Sequence, residues 1–386
     1  MSCKYLHIIA PYGVSPYPII KFFRDCFPKE EHEFFVMTTK RWAINHTPRI
    51  LAFLDLHYIP ETGKSIFSKF RGPSELNRLM RHADHVLLHT QFCVRGKYFL
   101  PVFLQKKQVK KMIWIEYGTD LAQWKYPEKK LRFRLRNFVM ERFLKKIPYI
   151  GLTLPGDEDL YLKYVGSDAK CFYTPIPVLK VYQEDMEHYR PESGDYKVPL
   201  ILVGGDSRPE NHHKDYFEKL SIFKDEKIAV TAFLNFGLYG ENGRYGRPAY
   251  RNYVYKQGKN FFGSKYFTLA VPNVHRDRYF STLNKIDIAI FGGERPTNPN
   301  LMFLLLLSGK KVFLPAGGGL YQFLLENDVA VFDVNAIPMV YDELFSPIEK
   351  CDNFEKLKMF FDGESAALIW KNMFDALERN ALGDFE

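Results

Sequence analysis

Two doubly wound α/β domains facing across a cleft are what this 386-residue chain predicts, on three observations. Apolar runs of strand length alternate with longer stretches of helical period along nearly the whole sequence, the mark of parallel βαβ units. One polar stretch without apolar period, 181–197, interrupts the alternation, and a second wound unit starts after it. The length exceeds what one ordinary core holds.

The expected organisation is a first Rossmann-like domain over 1–180, a linker over 181–197 and a second Rossmann-like domain over 198–353. Helices over 354–386 would cross back to the first domain. In the first domain, strands are expected at 5–10, 33–38, 50–56, 85–89, 112–116 and 149–153, with helices at 17–26, 74–82 and 129–146. In the second, strands are expected at 198–203, 228–234, 266–271, 287–291, 311–314 and 329–332.

Hydrophobic residues at 46% and aromatics at 16% support large packed cores and exclude disorder. Five scattered cysteines without a CxxC pair predict neither a zinc site nor a disulfide frame. The amino terminus reads as a first strand and the longest apolar run, 301–307, is far too short to span a bilayer. A soluble protein is expected. The net charge of +9 is unevenly shared. Residues 1–180 hold 30 Lys and Arg against 16 Asp and Glu, while the rest hold 24 against 29. One half is thus suited to an anionic partner.

Candidate chemistry gathers after strands, where open α/β sheets bind ligands. Trp114 to Leu121 reads as a buried strand broken at Gly118, with Asp120 just past its end. A carboxylate so placed could take a proton from an acceptor hydroxyl, with Glu116 as a substitute. The second domain opens with Val203, Gly204, Gly205, Asp206 and Ser207, followed by Asn211, His212 and His213 at a helix start. Small residues let backbone amides approach a phosphate, and a helix start adds positive field. An ordinary strand-to-helix turn capped by Ser207 or Asn211 is the alternative. Neither GxGxxG nor Walker A is present, so NAD and ATP are not indicated.

The loop 292–300 offers Arg295 as a planar fork for a diphosphate, or as half of a surface ion pair. Thr297 or Asn298 would cap the next helix. Phe236 and its neighbours could stack on a nucleobase or pack internally. The acids Asp157, Glu158 and Asp159 suit a helix start better than a metal site. His7, His89 and His275 have no nearby Cys or spaced His in the sequence and read as isolated. The stretch 129–146 is a basic amphipathic helix whose Lys130, Arg132, Arg134 and Arg136 could meet anionic headgroups or a pyrophosphate, while a solvated helix packed on its own sheet explains the apolar face equally well. No familiar nucleic-acid motif accompanies it.

Taken together, these segments resemble the bacterial TDP-N-acetylfucosamine:lipid II N-acetylfucosaminyltransferases, the family 56 glycosyltransferases. The similarity is collinear from about residue 4 to residue 330. It runs through His7 and the segment 21–25, His89 to Phe92, Tyr117 to Leu121, and Gly156 with Asp157. It continues in Val203, Gly204, Ser207, Asn211 to His213, Ala249, Tyr250, Val254, Tyr279, Asp287 and Arg295. The chain departs from the family at Pro299 and Asn300, where a Gly-Ile-Gly is usual, and in a longer loop over 237–246.

The resemblance implies a GT-B fold, no cofactor and no essential metal. Its donor would be a nucleotide sugar bound by Gly204, Gly205, Ser207, Asn211, His213, Phe236, Tyr250, Arg295, Asn298 and Asn300. A lipid-diphosphate-linked glycan would meet His7, Gly13, His89 and Gln91. The expected protein is a cytoplasmic glycosyltransferase, peripheral to the inner face of the plasma membrane. It would move a deoxy-amino sugar from TDP or UDP to an undecaprenyl-diphosphate-linked saccharide. Two other readings stand beside it: a pyruvyl or other group transferase on the same fold, and a non-catalytic anion-binding protein.

Overall fold

The computed structural model describes residues 3–11, 16–60, 68–90, 106–117, 120–121, 138, 140–175, 198–234, 248–270, 276–296, 298–348 and 352–383. The chain forms two compact units, Met1–Pro177 with Phe361–Glu386, and Val178–Phe360.

The first unit is built on seven parallel strands: β1 (Tyr5–Ile9), β2 (His32–Val36), β3 (His57–Tyr58), β4 (His85–His89), β5 (Met112–Glu116), β6 (Tyr149–Leu152) and β7 (Lys170–Tyr173). Their order is β3-β2-β1-β4-β5-β6-β7. Every residue of β1, β4 and β5 is buried, which explains why these strands read as unbroken apolar runs and not as alternating ones.

The second unit has six parallel strands: β8 (Leu200–Val203), β9 (Ala229–Phe233), β10 (Phe267–Ala270), β11 (Ile288–Ile290), β12 (Lys311–Leu314) and β13 (Phe332–Asp333). Their order, β10-β9-β8-β11-β12-β13, repeats the winding of the first sheet. In both units the chain reverses direction of winding beside its first strand, between β1 and β4 and between β8 and β11. Ligands of doubly wound sheets bind at such switch points, outside the carboxyl ends of the strands.

Three expectations need correction. The stretch 50–56 is not a strand: Pro48–Ala52 is a 3-10 turn, followed by the two-residue β3. Proline at its start supplies no ladder N–H, and Leu54 is 96% exposed, so the run is not a sheet core. Strand β7 was not expected: it is a four-residue edge strand, half-buried, that opens on the exposed Lys170. The carboxy-terminal helices divide between the units. Asn353–Phe361 stays with the second, where Asn353 exchanges both amide hydrogen bonds with the backbone of Ala330 (2.7 and 3.2 Å).

Gly363–Gly383 packs on the first unit, beside the helix Pro16–Cys26. Its Trp370 is wholly buried, meets Phe23 edge-on at 4.9 Å and donates its indole N–H to the Pro175 carbonyl at 2.7 Å. Among the described residues, no helix is long and apolar enough to cross a membrane.

Candidate functional site

The second unit builds its site from backbone. Beyond β8 the chain turns at Gly204, whose φ of +74° is left-handed. A Cβ there would lie 2.5 Å from Nε2 of His213, so only glycine fits. Gly205 is equally constrained, since a Cβ would meet Asn298 at 2.9 Å. After a 3-10 turn over Pro209–Asn211, the helix His213–Leu220 begins.

The turn is held rigid from within. Asn211 accepts the Gly205 amide at 3.2 Å and donates to the Asp206 carbonyl, the Asp206 carboxylate and the Arg208 carbonyl at 3.0, 2.8 and 3.1 Å. Arg208 closes the ring with a 2.6 Å bond from Nε to the Asp206 carboxylate, and both side chains are buried. Buried polar groups satisfied in this way fix a loop's shape. Asn211 therefore shapes the turn. Ser207 is also buried within it.

His213 occupies the first position of its helix and is fully buried. Nδ1 lies 3.0 Å from the Tyr250 hydroxyl, while Nε2 has no hydrogen-bond partner and faces the Gly204 turn. Burial, helped by the neighbouring His212, lowers its pKa to about 3 and keeps it neutral. The Tyr250 hydroxyl and Nδ1 share one hydrogen bond whose direction follows the tautomer, so a ligand oxygen over the turn can draw the ring proton to Nε2 while the hydroxyl donates to Nδ1. An unpartnered buried ring nitrogen, a glycine turn and a helix start converge on one point, which suits an anionic oxygen.

The β11 loop closes on the same turn. Asn298 caps the helix Pro299–Leu307 by accepting the Leu301 amide at 3.3 Å, and its Nδ2 approaches the Gly205 carbonyl at 3.5 Å. Arg295 is half-buried in this loop, and Asn300 is exposed on the helix. Phe236, Gly13, Gln91, Lys130, Arg132, Arg134 and Arg136 lie outside the described residues.

The first unit builds its site from side chains. His7 on β1 and His89 at the end of β4 flank the switch point, and their Nδ1 and Nε2 are 2.9 Å apart. His7 also meets His32 (Nε2 to Nδ1, 2.8 Å), and His89 meets the Tyr117 hydroxyl (Nδ1 to oxygen, 2.7 Å). His7 and His89, isolated along the sequence, are thus neighbours in space. Parallel strands bring residues 82 apart in sequence into one buried chain. His32 and Tyr117 were missed; the available signal was a histidine within or at the border of three strand-length runs, each of which needs a polar partner when buried. Beside His89, Thr90 is held at φ +79°, a strained conformation for a β-branched residue.

Asp120 does not stand open past β5. It is fully buried, and its carboxylate accepts the Trp114 indole N–H at 3.2 Å, locking the strand end to its own core. Glu116, the substitute, is buried too. A carboxylate with no exposed surface is placed to hold this segment, and the expectation that it meets a substrate hydroxyl is corrected accordingly. Among the described residues, no group of three or more His, Cys, Asp or Glu is arranged to hold a metal ion.

No protein-family model matches the chain, and no curated protein matches it in sequence. Solved structures do match in shape. A sucrose-phosphate synthase of Thermosynechococcus elongatus superposes with a TM-score of 0.63 at 12% identity, covering 98% of this chain and all of the other. The α,α-trehalose 6-phosphate synthase of Burkholderia multivorans gives 0.56 at 9% identity over the full length of both. HepE of Anabaena, solved with UDP and glucose, gives 0.59 at 9% identity over 97% of this chain and all of HepE.

The fold is GT-B. At such identities the likeness concerns architecture: two Rossmann-like domains, of seven and six parallel strands, in the same succession. In this GT-B chain the described glycine turn lies in the second domain and the buried histidine chain in the first.

Proposed function

We propose that this protein is a glycosyltransferase that takes a sugar from a nucleoside diphosphate held by its second domain. The observation that carries this reading is Nε2 of His213, buried without a partner over the glycine turn at the β8–β11 switch point. A diphosphate oxygen would satisfy it, and the start of the helix His213–Leu220 adds favourable field. As charge builds on the leaving diphosphate, donors fixed beforehand stabilise it without reorganising. Gly204, Gly205, His213 and Arg295 are the assigned donor contacts, with Asn211 and Tyr250 positioning them. HepE, solved with UDP and glucose, supports a nucleotide in the same fold.

The finer assignments rest on the family resemblance. They are a deoxy-amino sugar as donor, an undecaprenyl-diphosphate-linked saccharide as acceptor, and attachment to the inner membrane face through the basic half. The test is thermal stabilisation by TDP, UDP, GDP and CDP at millimolar concentration. One nucleoside diphosphate is expected to raise the unfolding midpoint by several degrees. Indifference to all four would contradict the reading.

A further inference from the structure

Four side chains cross the first sheet in single file. His32 opens β2, His7 sits at the middle of β1, His89 closes β4, and Tyr117 follows β5. The successive separations are 2.8, 2.9 and 2.7 Å. In the register, His32 lies opposite the first residue of β1 and His89 opposite the last. The file therefore climbs from the amino edge of the sheet to its carboxyl edge, where ligands of this fold bind. Its three imidazoles are buried, and Tyr117 is half-exposed.

Neutral imidazoles in a file share one proton per gap, so their tautomers are not independent. Reversing one N–H leaves a neighbouring gap with two protons or none. Two arrangements remain. In the first, Nδ1–H of His32 donates to His7, Nδ1–H of His7 to His89, and Nδ1–H of His89 to the Tyr117 oxygen. The phenol proton then points away from the file. In the second, Tyr117 donates to His89 and every proton moves to Nε2, ending on Nε2 of His32. That atom is buried and has no hydrogen-bond partner. Buried N–H groups without an acceptor are rarer in proteins than acceptors without a donor, which favours the first arrangement.

We propose that Tyr117 donates a hydrogen bond to an oxygen of the acceptor saccharide, its proton turned outward by the file His32–His7–His89. This rests on the glycosyl-transfer reading above. The strained Thr90, next to His89 at the same sheet edge, marks the place as one held against its own preference. The three histidines are positioning residues and do not act as a proton sink. Burial, together with Arg24 and Lys4, holds His32 near pKa 3, and burial alone holds His89 there. A proton passed inward at pH 7 would be disfavoured about 10⁴-fold.

The test uses the full chain with 15N-labelled histidine and long-range proton–nitrogen correlation. The proposal expects His32, His7 and His89 all in the Nδ1–H tautomer, the less common one in free histidine. Finding all three as Nε2–H would overturn it. Tyr117→Phe should raise KM for farnesyl-diphosphate-linked N-acetylglucosamine about 3–10-fold, with the donor KM unchanged. An unaltered acceptor KM would also overturn the proposal. If no transfer occurs with that acceptor in the wild type while a nucleoside diphosphate still stabilises the protein, the lipid-linked acceptor assignment fails, and the tautomers still decide the file.

Discussion

At the switch point of the first domain, between β1 and β4, side chains fill the space: three hydrogen-bonded imidazoles, His7 stacked on His89 and tilted against His32, lead to a phenol. At the corresponding point of the second domain, between β8 and β11, side chains are withdrawn. Gly204 and Gly205 bring the backbone forward, and one imidazole stands behind them. The two sheets share a winding, yet one edge presents a hydroxyl and the other a bare glycine turn backed by a buried imidazole at a helix start. A diffuse anion is best met by a helix start with room for close approach, whereas a neutral sugar oxygen is met by a single oriented donor. Topology places a site; the residues at the strand ends decide what it can hold.

Acid should separate the two domains most strongly. Burial holds His7, His32, His85 and His89 of the first below 6.5, but only His213 among the described histidines of the second. The unfolded chain binds protons at these sites below about pH 6.5 while the folded chain does not, so stability falls as pH drops from 6.5 towards 3. His32, His89 and His213, held near 3, each contribute up to about 1.4 kcal/mol per pH unit in that window, and His7 and His85 act in the same direction. All four tryptophans, Trp42, Trp114, Trp124 and Trp370, belong to the first unit, so fluorescence-monitored urea unfolding reads that unit. Its midpoint should fall more between pH 7 and 5 than nucleotide-detected unfolding of the second. Equal shifts would remove the distinction.

Trp370→Ala should cost the first domain about 3–5 kcal/mol, the usual effect of emptying a fully buried indole site, and leave the second unmoved. A parallel loss in the second would show that the two do not unfold separately. Asp120→Ala comes next, at about 1–3 kcal/mol, because the buried Trp114 N–H loses its acceptor. Asp120→Asn keeps an acceptor and should cost less. An Asp120→Ala protein with unaltered stability but no transfer would return this carboxylate to the substrate.

Most strands were legible because buried parallel strands are continuous apolar runs, as in 85–89, 112–116 and 311–314. The edge strands of the first sheet were not, since β3 has two residues and β7 is only half-buried, whereas the edge strand β10 of the second falls inside the expected 266–271. The glycine turn was readable as a pattern, and its φ and close approach to His213 supply the reason for it. The histidine file was not readable. Its members come from different strands and meet only through sheet register, which no local pattern records. Asp120 misled for the same reason: position after a strand is local, but the indole that claims it is set by tertiary packing.

The central claim is that the second domain holds a nucleoside diphosphate over the Gly204 turn. Calorimetric titration of UDP and TDP into the wild type and His213→Ala tests it most directly. A hydrogen bond to a charged group is worth about 1.5–3 kcal/mol, so the variant should bind about 10–100-fold more weakly. Equal affinity in both proteins would contradict the account.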